Sequence, residues 1–277
     1  WNPHTWETSD DDIIRSYITS GFYTFALNST KDGYSVIPEM AAEFPVDVTA
    51  EYVGQYGVAE GDANKAWRIA LNQDAVWENG EKITADDYIY SMQQQLNPKM
   101  LNRRADSFYD GDFDIVNAKN YLYAGQMAYA PLGDAVAADL LAAGQEVYVD
   151  MYGFWGLAGA LDAEGNEAAQ YISVTDDVMY RDLGVEDEKA DEAWVSAKYL
   201  YDNYLAAGQT YESYAGQYLA TGSVAPETPW DSVGLKKVDD YTIDIILNKP
   251  VEEASFYMPY NLSSTWLVYK PLYEECK

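Results

Sequence analysis

Residues 67–98, WRIALNQDAVWENGEKITADDYIYSMQQQLNP, leave the chain little choice of local structure. Trp67, Ile69 and Leu71 alternate with Arg68, Ala70 and Asn72, the period-2 pattern of a strand with one buried face. Asn79-Gly80 signals a turn, because both residues tolerate positive φ. Thr84 suits a helix N-cap, since its hydroxyl can accept an orphan backbone N–H. Asp86 and Asp87 fall in the first turn, where the helix dipole favours negative charge. Ala85, Ile89, Met92 and Leu96 then lie on one apolar face, and Asn97-Pro98 stops the helix because proline disfavours helical geometry just before it. A strand, a tight turn and a capped helix in immediate succession predict a folded α+β unit.

Charge narrows the function. The chain of 277 residues carries a net charge of −29, which repels phosphate backbones and anionic lipid surfaces, so a nucleic-acid partner is excluded. No apolar run reaches the eighteen or so residues of a membrane span, and the opening residues do not read as a signal peptide. Cys276 is the only cysteine and His4 the only histidine, which rules out an internal disulfide, a histidine triad and a multi-histidine metal centre. Asp110, Asp112 and Asp114 alternate as in a calcium loop, but Ile115 stands where glycine is needed and Tyr121 where glutamate is, so the stretch reads as a solvated loop. No glycine loop cradles phosphate. A glycosidase needs two carboxylates at a set separation, and nothing singles out a pair among 46 acids. The expectation is a protein that is not an enzyme and has no cofactor.

A second patterned stretch lies far along the chain. In VGLKKVDDYTIDIILNKPV, Val238 to Thr242 make a turn into a strand, and Tyr241, Ile243, Ile245 and Leu247 alternate strictly. At the start, Asn2-Pro3-His4 precedes an acidic run, Asp10-Asp11-Asp12, that opens a helix near 11–20 with Ile13, Ile14, Tyr17 and Ile18; Gly21-Phe22 follow. Ile37-Pro38-Glu39-Met40-Ala41-Ala42-Glu43-Phe44 comes next, and residues 50–66 read as an irregular hairpin or loop. Residues 126–232 differ in character. They are rich in alanine and tyrosine, with helical patterns over Leu132 to Ala143 (closed by Gly144), over 186–207 (closed by Gly208), and in a short stripe of Tyr211, Tyr214 and Tyr218. The Leu-Ala-Ala-Gly-Gln shared by 141–145 and 205–209 is one echo, too little for a solenoid. Residues 151–161 are apolar and glycine-rich, fitting a buried crossing or a flexible edge.

The order and spacing of W-x-I-x-L, W-x-N-G-x-x-I-T-A-D-D-Y-I-Y-S and L-N-P-K, then of the 238–247 strand, resemble extracellular solute-binding protein family 5. These are the oligopeptide- and dipeptide-binding proteins of bacterial ABC importers. Asn79 stands where that family usually has aspartate and Lys82 where it has proline; both keep the turn and cap chemistry. The resemblance covers roughly 1–125 and 233–277, including the Asn2-Pro3-His4 opening, the 37–44 segment and IVNAKNYLYAG at 115–125. It implies an N-terminal fragment: relatives are about twice as long and close two lobes on a peptide.

The fold implied is α+β, a mixed, antiparallel-rich sheet with helices, part of the periplasmic-binding-protein class. Residues 1–36 would begin lobe I, 37–125 and 233–262 would form an accessory α+β domain, 126–232 a mostly helical insertion, and 263–277 the return toward lobe I. By the same resemblance, Glu7, Thr8 and Ser9 fall where relatives contact the peptide backbone, and Phe108 and Tyr109 where they present an exposed tyrosine. Thr8, Ser9 and Asp10 also read as plain caps of the following helix, and Phe108-Tyr109 as a core aromatic pair. The implied partners are a peptide ligand and the importer's membrane permease, and the protein would be a monomer. It would be a lipoprotein at the bacterial cell surface, or periplasmic, with signal and anchor outside this chain. Two alternatives stay open: a secreted carbohydrate-binding module, since tryptophan and tyrosine can stack on sugars, and a glycosidase with paired carboxylates.

Overall fold

The computed structural model describes residues 2–111, 113–184, 194–206, 216–263 and 266–276. In chain order, helix α1 (Ser9–Ile18) precedes strands β1 (Tyr23–Leu27), β2 (Tyr34–Pro38), β3 (Val46–Asp47) and β4 (Ala66–Ala70), and then helix α2 (Ala85–Gln95). A 3-10 helix (Arg103–Phe108) and α3 (Ala118–Leu122) lead to β5 (Met127–Pro131), α4 (Ala137–Ala142), β6 (Val147–Asp150) and α5 (Met151–Trp155). Next come β7 (Tyr171–Ser173), β8 (Tyr180–Arg181), β9 (Trp194–Val195), α6 (Ala197–Leu200), a π-helical turn (Tyr201–Leu205) and β10 (Leu219–Val224). The last elements are β11 (Leu235–Asp239), β12 (Thr242–Ile246), α7 (Ala254–Asn261) and α8 (Lys270–Glu275). The chain divides into two compact units, 1–125 with 226–277, and 126–225.

The first unit is built on an antiparallel sheet of order β11-β12-β4-β3, with β1 and β2 as a separate hairpin. The two motif strands are neighbours at its centre: Ile243 pairs with Ile69 and Ile245 with Trp67. Because β12 is central, both its faces are covered. Ile243 and Ile245 point into the main core, while Asp244 and Ile246 are equally buried on the other side. Asp244 is tolerated there because it is paired: Arg68 donates from Nε at 2.9 Å and from a terminal nitrogen at 2.7 Å, and the Tyr52 hydroxyl donates at 2.7 Å. A buried carboxylate without such donors would carry a large desolvation cost. Between Trp67 and α2 the chain follows its local signals. Gly80 takes φ +86 in the turn, and Thr84 donates its backbone N–H to the Asp87 carboxylate at 2.8 Å, starting α2. The buried face of α2 centres on Ala85, Tyr88 and Met92, continued by Leu96, with Ile89 half-buried at its margin.

Rings fill the centre of this core. Phe22 stacks on Tyr88 at 4.5 Å, and Trp266 meets the edge of Phe22 at 5.5 Å while stacking on Phe108 at 5.6 Å. Each such ring is worth roughly 2–3 kcal/mol of burial. Gly21 enters this centre because nothing larger fits: a Cβ there would lie 2.3 Å from the Ser263 carbonyl oxygen. Helix α1 contrasts with α2. None of its residues is buried, and Ile13, Ile14, Tyr17 and Ile18, the apolar stripe of the sequence pattern, face solvent.

The second unit corrects the expectation of a mostly helical insertion. Its framework is a four-stranded antiparallel sheet of order β5-β10-β6-β7, accompanied by the β8-β9 pair and short helices. Helix was expected over Leu132–Ala143, but the chain there turns from the end of β5 into α4, which begins only at Ala137. Gly144, at φ +75, ends that helix as its type suggests. Over 186–207 the described part is a strand, a single helical turn and the π-helical turn; Gly208, Tyr211 and Tyr214 lie outside the described residues. The physical reason is alternation inside short segments: Val147 and Val149 face the core of this unit while Tyr148 faces the opposite side against Tyr129. Helical periodicity in the alanine-rich connections masked that signal. Residues 151–161 form α5 and a turn, with Met151, Leu157 and Ala160 buried.

Candidate ligand-binding site

The N-terminal segment and the 3-10 helix at 103–108 form one neighbourhood in the first unit. Asn102 caps that helix, accepting from the Arg104 backbone N–H at 2.9 Å, and its side-chain amide donates to the His4 carbonyl at 3.0 Å. Arg104 then donates from Nε to the Trp6 carbonyl at 3.1 Å, with its guanidinium carbon 3.6 Å from the centre of the Trp6 ring. Arg103 approaches the Glu7 carboxylate at 3.7 Å. His4 anchors the segment from within: its Nε2 lies 2.7 Å from the Trp266 carbonyl oxygen and must carry the proton, because a carbonyl can only accept. Burial, reinforced by the nearby Arg15 charge, brings the His4 pKa down to about 4, so the ring is neutral at pH 7.

The five residues nominated from the sequence are placed differently. Glu7, Thr8 and Ser9 are exposed. Thr8 is the N-cap of α1, its hydroxyl accepting from the Asp11 N–H at 3.2 Å, and the Asp11 carboxylate accepts from the backbone N–H of Glu7 and Thr8. The capping chemistry is therefore present, and the outward surface of this segment is open. Phe108 is a correction. It is 5% exposed and stacked on Trp266, part of the core and not of a ligand-facing wall. The last turn of the 3-10 helix directs Phe108 inward and its neighbour outward.

Tyr109 is half-buried and lines a polar recess of about 330 Å³ with Asp114, Asn117, Lys119, Asn120 and Asn248. Its hydroxyl lies 3.5 Å from that of Tyr123, and the Lys119 ammonium sits 5.6 Å from its ring centre. Burial and the Tyr123 contact raise the Tyr109 pKa, so the phenol keeps its proton and can donate. Asn248 donates to the Asp114 carboxylate at 2.8 Å. One carboxylate, one ammonium, a phenol and three amides can satisfy both the N–H and C=O groups of an extended backbone. Sequence reasoning missed Asn117 and Asn248. The only signal for Asn117 is backbone geometry, φ +58 at the start of α3, and Asn248 lies 134 residues from its partner Asp114. A second, apolar groove of about 310 Å³ lies between Phe44, Pro45 and Trp67 and the α7 residues Ala254, Ser255 and Pro259. Among the described residues no cluster of His, Cys, Asp and Glu could hold a metal ion, and no helix is long and apolar enough to cross a membrane.

Comparison with known proteins falls on this same unit and the start of the next. Residues 35–147 match the profile of bacterial extracellular solute-binding proteins, family 5, middle segment. By that match residues 35–147 are similar to the middle segment of family 5 solute-binding proteins. No curated protein matches the sequence. Among solved structures, the chain is similar to Listeria monocytogenes OppA bound to peptide, at 14% identity and a TM-score of 0.47, over 100% of this chain and 30% of that one. It is also similar to the substrate-binding domain of an oligopeptide ABC transporter from Bacillus anthracis, at 13% identity and a TM-score of 0.46, over 99% and 29%. Haemophilus influenzae OppA in complex with RPPGFSPFR gives 12% identity and a TM-score of 0.46, over 99% and 29%. The chain thus spans about 30% of the length of the structures it resembles.

Proposed function

We propose that this chain is the N-terminal part of the substrate-binding component of a bacterial ABC importer, which captures oligopeptides between two lobes and delivers them to a membrane permease. The match of residues 35–147 to family 5 carries the reading. On it, residues 1–36 begin lobe I, 37–125 and 233–262 make the accessory domain, 263–277 return toward lobe I, and a second lobe lies outside this chain. The protein acts by binding and not by catalysis, as a monomer held outside the membrane by a lipid anchor or free in a periplasm. Glu7, Thr8 and Ser9 of lobe I and Tyr109 of the accessory domain face the peptide.

Calorimetric titration of mixed short peptides into this chain, and into a longer product of the same gene extending through the second lobe, tests the proposal. Binding that is strong in the longer protein and weak or absent here is the expected result. If neither binds peptides, peptide import is the wrong function. Deleting 126–232 and measuring uptake tests whether the insertion takes part in delivery; unchanged uptake removes it from the mechanism.

A further inference from the structure

Three of the five arginines in the chain gather on one short stretch. The guanidinium carbons of Arg104 and Arg15 lie 3.6 Å and 5.1 Å from the centre of the Trp6 ring, and Arg103 reaches toward Glu7. The molecule as a whole, with a net charge of −29, repels anions, and acids stand beside these arginines too: Glu7 and the Asp10–Asp12 run. The three are not equivalent. Arg15 is held by the Asp12 carboxylate through Nε at 3.2 Å and a terminal nitrogen at 2.7 Å, so it contributes field and not donors. Arg104 commits Nε to the Trp6 carbonyl, and stacking on the indole fixes the plane of its fork. The Arg103 side chain is 60% exposed, and its 3.7 Å contact with Glu7 is too long for a good hydrogen bond. A planar guanidinium fork matches a carboxylate with two parallel hydrogen bonds, and a fork already oriented loses less side-chain freedom on binding.

We propose that Arg104, stacked on Trp6, and Arg103 beside Glu7 form a recognition site for a carboxylate of the bound peptide, with Glu7 as the internal carboxylate that the ligand displaces from Arg103. The inference rests on the peptide-binding reading and narrows it to peptides that present an anionic group. That group comes from an acidic side chain or from the C-terminus; the chemistry is shared.

Nuclear magnetic resonance of the 277-residue chain reads the site directly through arginine Nε–H and tryptophan indole signals. The probes are tetraalanine, tetraalanine amide and Ala-Ala-Glu-Ala amide at millimolar concentration. The expected result is that one or both carboxylate-bearing peptides shift the Arg103, Arg104 and Trp6 signals with about tenfold higher affinity than tetraalanine amide, which corresponds to ~1.4 kcal/mol. Whichever of the two responds identifies the source. Arg103→Gln, at an exposed position, should remove most of that preference without unfolding the chain, and Glu7→Gln should tighten binding severalfold. Equal affinity for the amide, or a preference unchanged in Arg103→Gln, overturns the carboxylate site and leaves the peptide reading standing. No response to any of the three also overturns the site, while the peptide reading is decided separately by calorimetry on the longer protein.

Discussion

Acidification should loosen the N-terminal segment through one side chain, His4. The residue is 2% exposed, its Nε2 serves the Trp266 carbonyl, and Nδ1 has no partner among the described residues. Burial and the Arg15 charge outweigh the favourable carbonyl contact and hold the pKa at about 4, against 6.5 in the unfolded chain. Between those values the unfolded state takes up a proton that the folded state refuses. Stability therefore falls as pH drops through 6.5, and the loss levels off below about 4. The gap, 6.5 − 4, is about 2.5 pH units, and at ~1.4 kcal/mol per unit it amounts to roughly 3.5 kcal/mol, of which roughly 3 is lost by pH 4. The 46 carboxylates titrate in part of the same range, and relief of their mutual repulsion acts in the opposite direction. Urea unfolding of the native chain and of His4→Gln, compared at each pH, isolates the imidazole. The stability difference should shrink by roughly 3 kcal/mol between pH 7 and pH 4, in the sense that the native chain loses more. A difference that stays flat across that interval would refute the reasoning.

Three further outcomes follow from the packing. Asp244→Ala should cost about 1–3 kcal/mol in urea unfolding, because it leaves the Tyr52 hydroxyl without its acceptor and Arg68, partly exposed, with Glu51 alone; a loss under about 0.5 kcal/mol would mean that the pair is dispensable. Gly21→Ala should lower the melting temperature, since its Cβ would meet the Ser263 carbonyl oxygen at 2.3 Å, with a cost of about 1–3 kcal/mol; Gly80→Ala, in open space at φ +86, should cost only the ~1–2 kcal/mol of left-handed geometry. Thr8→Ala should cost about 1 kcal/mol of cap energy. Because α1 has no buried residue to hold it, that loss should appear as faster amide exchange confined to Ser9–Ile18.

Legibility in the sequence tracked the range of the interactions involved. The 67–98 segment was readable because its turn, cap and stripe are set by residues within four positions of one another, and the structure repeats them at Gly80, Thr84 and Met92. The central position of β12 was half legible. Its apolar alternation is plain, but the burial of Asp244 depends on Arg68, 176 residues away. Phe108 and Tyr109 look alike in sequence, and only the pitch of the 3-10 helix separates core from surface. In the second unit, strands of two to six residues joined by alanine-rich turns left too short a period-2 signal to compete with helical spacing. The arginines around Trp6 could not be grouped from sequence, because Arg15 and Arg104 are brought to one ring only by the fold.

The way the second unit begins and ends has a practical meaning. Its first strand and its last pair antiparallel, Met127 opposite Val224, and just outside them the Ala225 N–H donates to the Gln126 carbonyl at 2.8 Å. Entry and exit are thus adjacent, and the hundred residues between them form one compact unit. Gly125 and Pro226 could be spliced with a linker of a few residues, and the same junction could accept a fluorescent or affinity module without threading it through the host core. A splice at that junction would leave the sheet that carries Asp244 and Arg68 untouched.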